Sequence, residues 1–215
     1  MVQKFSLASP SATRGRPRKF DTDEVLGRAR DVFWRNGYAG TSMDQIANAT
    51  GLHKPSLYGA FGDKKQLYLA ALNNYLAEVS ADFAEAIALP TIPEVLQSLT
   101  DFAIDMFLRT EGEGMGCFMM NTALAEVHDD PEISRVVREA MDRLDRAIMR
   151  RFEKAADAGE LSADANPRAL AMIVIANHYD ISARARAGYS REDLRALADQ
   201  AIGLVKQLGG IGAAR

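Results

Sequence analysis

The chain has 215 residues, 47% of them hydrophobic, and a net charge of −3 from 26 basic and 29 acidic side chains, a composition that supports a buried core and excludes a disordered polymer. No apolar run approaches the roughly 20 residues of a bilayer span, and the first residues lack the pattern of a signal peptide, so a cytoplasmic protein without a membrane partner is expected. The single cysteine, Cys117, excludes an internal disulfide; His128-Asp129-Asp130 and His178 near Asp180 could be called metal ligands, but three scattered His residues without tight ligand spacing make metal the minor reading, and no cofactor is expected.

The net charge conceals an asymmetry. Residues 1–65 hold 11 Lys/Arg against 6 Asp/Glu, a balance of 11 − 6 = +5, which leaves 15 − 23 = −8 for the other 150 residues. This distribution suggests a small basic module joined to a larger acidic body. Strand-like alternation is nearly absent, and the apolar spacing predicts an all-α chain of nine helices in two domains.

The elements follow in chain order. Arg14, Arg16, Arg18 and Lys19 fall in a segment with little to pack, read as a basic flexible arm over residues 1–19 that enters a minor groove or lies along phosphates. Asp21 and Glu24 fit a capping box for a first helix ended by Gly37, with Phe20 stapled onto Val25. Thr41–Asp44 reads as the cap of a second helix closed by Gly51, and a third short helix spans Lys54–Phe61. Leu57 and Phe61 share one face at i, i+4, so Pro55, Ser56, Tyr58 and Gly59 are left on or beside a small, lightly polar face that suits a major groove. This spacing fits a helix-turn-helix over residues 20–65.

Gly40-Thr41-Ser42-Met43-Asp44-Gln45-Ile46-Ala47, followed by Gly51 through Lys64, resembles the DNA-binding domain of the tetracycline-repressor (TetR) family. The resemblance implies phosphate contacts from Thr41, Tyr58 and Lys64, with Lys54 near phosphate or base edges. His53 stands at the recognition-helix cap, where the family more often has Ser or Thr, and Ala60 stands where it often has His. Pro55 is compatible with a first helical turn.

Asp63 is expected to cap a long fourth helix to Ile87 that joins module to body, and Pro90 and Pro93 to separate it from a helix over 94–109. A loop through Glu111–Gly116 then precedes helices over 117–127, 131–158, 167–187 and 190–208, with a frayed tail from Gly209. Residues 66–215 are thus read as a ligand-binding and dimerisation domain. The last two helices have apolar faces wide enough to need a partner, and the resemblance implies that this pair forms a four-helix bundle across a two-fold axis.

Phe102, Met106, Phe107, Phe118, Met120, Leu124 and Met141 are candidates for an apolar cavity, as are Met149 and Met172, although the same stripes also describe ordinary core. Cys117, Asn121, Leu124 and His128 share a helical face on which polar groups would orient a ligand, and His178 is a further candidate. The reading is therefore a regulator that binds double-stranded operator DNA as a homodimer and is released by a largely apolar small molecule. Activation, or a redox response through Cys117, is the alternative. An enzyme finds no support, since the chain shows no nucleophile elbow or phosphate-cradling glycine loop. A structural DNA-binding protein without an effector remains as a third reading.

Overall fold

The computed structural model describes residues 20–108 and 114–212. The arm residues Arg14, Arg16 and Arg18 lie outside the described residues. Among the described residues there are nine helical elements and no strand. They are α1 (Thr22–Asn36), α2 (Met43–Thr50), α3 (Lys54–Phe61), α4 (Lys64–Ile87) and α5 (Ile92–Phe107), then a π-helical turn (Met119–Ala123), α6 (Pro131–Asp157), α7 (Pro167–Arg186) and α8 (Arg191–Gly209).

Local chemistry sets most helix starts. Ser42 with Gln45 and Asp63 with Gln66 form reciprocal capping boxes at α2 and α4, which satisfy amide groups that the first turn leaves without partners. The α2 box lies one residue beyond the expected Thr41–Asp44 pair. Asp21 caps α1 alone, accepting from the amides of Asp23 and Glu24, while the Glu24 carboxylate pairs with Arg28 one turn on. At α5 the helix begins two residues before the predicted Glu94. Thr91 caps it with Glu94 as the reciprocal partner, and Pro93 sits in the first turn, where its missing N–H costs nothing.

The largest departure is the predicted helix over 117–127, which is a five-residue π turn followed by non-helical turns. Tertiary contacts hold this segment. The Cys117 amide donates to Ser182 Oγ at 2.8 Å, the Tyr68 hydroxyl lies 2.8 Å from Thr122 Oγ1, and Trp34 Nε1 donates to the Met115 carbonyl at 2.9 Å. Gly116 has a φ of 62°, and a Cβ there would come within 2.7 Å of the Ser182 carbonyl oxygen. The chain thus lies directly on α7, at a backbone angle that favours glycine.

Among the described residues, two large apolar clusters organise the molecule, beside a small third one of Ala86, Val95 and Leu99. One runs from Val25 and Phe33 on α1 through Leu72 and Tyr75 on α4 and Phe118 to Ala198 on α8; the other joins Ile92, Phe152, Leu170 and Val205 at the opposite end of the body. The first core therefore crosses the expected boundary at residues 65 and 66 without a break, and α4 serves both sides of it. Full burial of side chains such as Phe33, Leu72 and Phe118 stabilises the fold by roughly 1.5–3 kcal/mol each. The far end is secured by Arg151, whose guanidinium reaches the carbonyls of Leu89 and Pro90 and the carboxylate of Glu160. The C-terminal segment is also tied down. Ser162 donates its amide to the Gly209 carbonyl, Ile211 donates its amide to the Lys206 carbonyl, and Ile211 packs on the second cluster, so Gly209–Ile211 are held where a frayed tail was expected.

Candidate nucleic-acid interface and ligand cavity

Helices α2 and α3 meet at Gly51, which takes a left-handed conformation with φ of 71°. Ile46 and Leu57 are fully buried in the crossing. Because Leu57 faces inward, Pro55, Ser56, Tyr58 and Gly59 are all exposed on α3, as the spacing predicts. Pro55 lies in the first turn, and His53 occupies the cap position without a side-chain hydrogen bond to the helix. Gly59 is helical, and nothing stands within 4 Å of where its Cβ would be. Internal packing therefore does not demand glycine there.

The cations flank this face. Lys64 opens α4 and places its ammonium 4.5 Å from the centre of the Tyr38 ring, a cation–π arrangement that fixes a long side chain. Lys54 is 2.6 Å from the Asp44 carboxylate, and that hydrogen bond holds its ammonium charged, with its pKa raised. This pairing of Asp44 was not legible in the sequence, because it forms across the α2–α3 turn, outside the one-turn spacing of helical ion pairs. Thr41 requires a correction. It is only 3% exposed, and its hydroxyl donates to the Gly37 carbonyl at 2.7 Å, so it supports the α1–α2 turn instead of reaching a phosphate. Exposed Ser42 stands beside it.

Within the body, α4, α5, α6 and α7 enclose a cavity of about 250 Å³. Met106, Cys117 and His178 line it, as does Met141, while Phe102, Met120, Asn121 and Leu124 do not. The π turn explains most of that difference, because an α-helical reading wrongly aligns residues 117, 121 and 124. Asn121 instead donates its amide to the Met115 carbonyl, and Leu124 faces solvent. Phe102 and Met120 pack against the first core cluster.

The wall not foreseen comes largely from α4, where Tyr75, Leu76, Val79 and Phe83 line the space, together with Tyr179 on α7. Tyr75, Val79 and Phe83 recur at i, i+4, i+8, a detectable stripe on a helix that was read as a connector. The Tyr75 hydroxyl donates to Met106 Sδ at 3.4 Å and Cys117 Sγ at 3.5 Å, both weak acceptors. Burial pushes the Cys117 thiol up, which favours the protonated thiol over the thiolate. Burial also lowers His178 to about 4, leaving a neutral imidazole at pH 7. Burial pushes the Tyr179 phenol up to about 12, the Asp145 charge adding to the effect, and its hydroxyl is buried without a hydrogen-bond partner among the described residues.

An exposed apolar surface lies elsewhere, on α7 and α8. Met172 is 59% exposed, Leu204 46% and Leu208 51%, and Ala176 and Ala183 are exposed on α7 with them.

Comparison with known proteins agrees with this architecture. Residues 25–71 match the model of bacterial regulatory proteins of the tetR family, and residues 93–201 match that of the tetracyclin repressor-like C-terminal domain. The chain is 29% identical to the HTH-type transcriptional repressor ComR of Escherichia coli (strain K12) over 91% of its own length and 94% of that protein. It is 31% identical to an uncharacterized HTH-type transcriptional regulator, YezE, of Bacillus subtilis (strain 168) over 70% of this chain and 77% of the relative. Among solved structures it resembles the TetR-family regulator CifR, a cysteine mutant complexed with a 26-base-pair operator. The TM-score is 0.75 at 29% identity, covering 87% of this chain and 98% of that one. No helix among the described residues is long and apolar enough to cross a membrane.

Proposed function

The chain belongs to the TetR family of bacterial regulatory proteins and is a helix-turn-helix transcriptional regulator, and we propose that it is a homodimeric repressor that leaves its operator when a small apolar molecule fills the cavity of the body. The observation that carries this reading is the pairing in one chain of an exposed, lightly polar α3 face with an apolar cavity walled by the same α4 that packs on α1. Repression is inferred from ComR, which aligns over nearly the whole chain, and operator binding from CifR.

Each part has a role. Ser56, Gly59 and Pro55 face base edges, Tyr58 and Lys64 hold phosphates, and Lys54, with His53 beside it, exchanges Asp44 for DNA. The arm cations Arg14, Arg16 and Arg18 add phosphate or minor-groove contacts. The exposed apolar face of α7 and α8 meets its copy across a two-fold axis, which sets two α3 helices about one DNA turn apart. Residues 20–65 form the reading module and 66–215 the sensing and dimerising body. The chain works in the cytoplasm and performs no catalytic step.

The test is selection of a binding site from a random duplex library, followed by footprinting with and without a panel of small hydrophobic compounds. A palindromic site protected by the protein and released by one compound is the expected result. Protection without sequence preference, unaffected by every compound, contradicts the reading.

A further inference from the structure

The cavity has a chemistry more specific than its apolar character. Its walls carry the rings of Tyr75, Phe83 and Tyr179 and the thioethers of Met106, Met119 and Met141, surfaces that suit the face and edge of a flat aromatic molecule. Its volume of about 250 Å³ exceeds the roughly 150 Å³ that accommodates one benzene. A solute of roughly ten to twelve non-hydrogen atoms, the size of two fused rings, fills it.

The polar groups that face this space are uncharged, apart from Arg143, which is exposed at the rim. Ser80 is exposed as well, and its hydroxyl is committed to the Leu76 carbonyl at 2.6 Å. Tyr75 donates only to sulfur. Among the described residues the Tyr179 hydroxyl is buried without a partner, as is one carboxylate oxygen of Asp145 on α6. His178 makes ring contacts with Phe107 and Tyr179, and no hydrogen bond to its imidazole is found among the described residues. A buried hydroxyl without a partner is costly unless something else supplies one.

Resting on the regulator reading above, we infer that the cavity takes an uncharged, compact aromatic molecule bearing one hydroxyl or carbonyl oxygen, which accepts the hydrogen bond of Tyr179 and is flanked by His178. Desolvating a carboxylate among these neutral groups has no compensating cation inside the cavity, and Arg143 lies at its mouth. A buried ammonium finds only Asp145, whose carboxyl is itself pushed up by burial and by Asp142.

Calorimetric titration of the full chain, without DNA, with naphthalene, 1-naphthol, 1-naphthoate and 1-naphthylmethylammonium tests this. The expected order places 1-naphthol first, about tenfold tighter than naphthalene, with both ions weaker still. In Tyr179→Phe the advantage of 1-naphthol over naphthalene is lost. In Ala147→Phe, at another lining position, both neutral probes weaken at least tenfold while the helical circular dichroism signal is retained. Equal or tighter binding of either ion, binding by none of the four, or a Tyr179→Phe variant that keeps the 1-naphthol advantage overturns the inference. The two readings fail separately. Binding of 1-naphthol that leaves operator affinity unchanged refutes the effector role and supports the ligand class. Release of the operator by a charged compound, with no neutral probe bound, does the reverse.

Discussion

Trp34 on α1 meets Tyr75 on α4 edge to face, with ring centroids 5.4 Å apart, and the hydroxyl of that same tyrosine reaches Met106 and Cys117 in the cavity wall. One aromatic contact thus joins the cavity wall to the first helix of the chain. Arg30, also on α1 and buried, lies 5.9 Å from the centre of the Tyr75 ring and bonds Glu78 of α4 at 2.6 Å. A ligand that displaces Tyr75 therefore acts directly on two α1 side chains, which is the differential contact that coupling requires.

Replacing Trp34 by Leu removes the ring contact and the hydrogen bond to the Met115 carbonyl. The expected loss is about 3 kcal/mol, measured by urea denaturation. Tyr75→Phe keeps the ring, and its operator affinity without ligand should stay within about twofold of wild type. A Trp34→Leu variant as stable as wild type would show that the junction is not held by this contact.

Gly59 separates folding from reading. Its position is helical and open, so Gly59→Ala should raise stability by roughly 0.5–1 kcal/mol. On an operator the added methyl meets the groove, and affinity should fall or base preference shift. Thermal melting and fluorescence anisotropy on the selected site measure the two effects. A variant that is stabilised and binds unchanged removes Gly59 from the contact surface.

His178 gives a pH signature. Its folded value of about 4 lies below its ordinary 6.5, so the unfolded chain binds a proton first as pH falls. The associated stability is complete above about pH 6.5 and is lost as pH falls towards 4, by up to about 3 kcal/mol and by less where cavity water solvates the ring. Denaturation curves at pH 7.5, 6 and 5 should steepen this loss in wild type relative to His178→Gln. Parallel pH profiles would place the imidazole in solvent.

The dimer surface is tested on side chains that the single chain leaves uncovered. Met172 and Leu204 are exposed, whereas Ala201 lines an internal crevice and a charge there would disturb the core as well. Met172→Glu with Leu204→Glu should sediment as a folded monomer and lose operator binding. A double variant that remains dimeric locates the interface elsewhere.

What could be read in advance was local chemistry. Asp63, Gly51 and Pro55 act within a turn of where they stand, so their caps, turn and first-turn proline were legible, and the inward aim of Leu57 followed from its spacing. The cavity was not, because its walls are set by tertiary contacts. Asn121 and Leu124 share a helical face only if residues 117–127 are α-helical, and the hydrogen bonds of Cys117 to Ser182 and Tyr68 to Thr122 impose another backbone. Burial of Thr41 was likewise hidden, since its spacing is the same whether the hydroxyl faces a phosphate or the Gly37 carbonyl.

The central claim is that α3 reads bases while its neighbours hold the backbone, and the direct measurement is affinity for a set of single-base operator variants across a salt series. Lys64→Ala should weaken all sites by similar factors and reduce the salt slope by about one counterion per subunit, and Tyr58→Phe should also act uniformly, whereas Ser56→Ala and Gly59→Ala should change which bases are preferred. Base preference reshuffled by Lys64→Ala and untouched by Ser56→Ala and Gly59→Ala would contradict the account, because it would put a helix other than α3 in the groove.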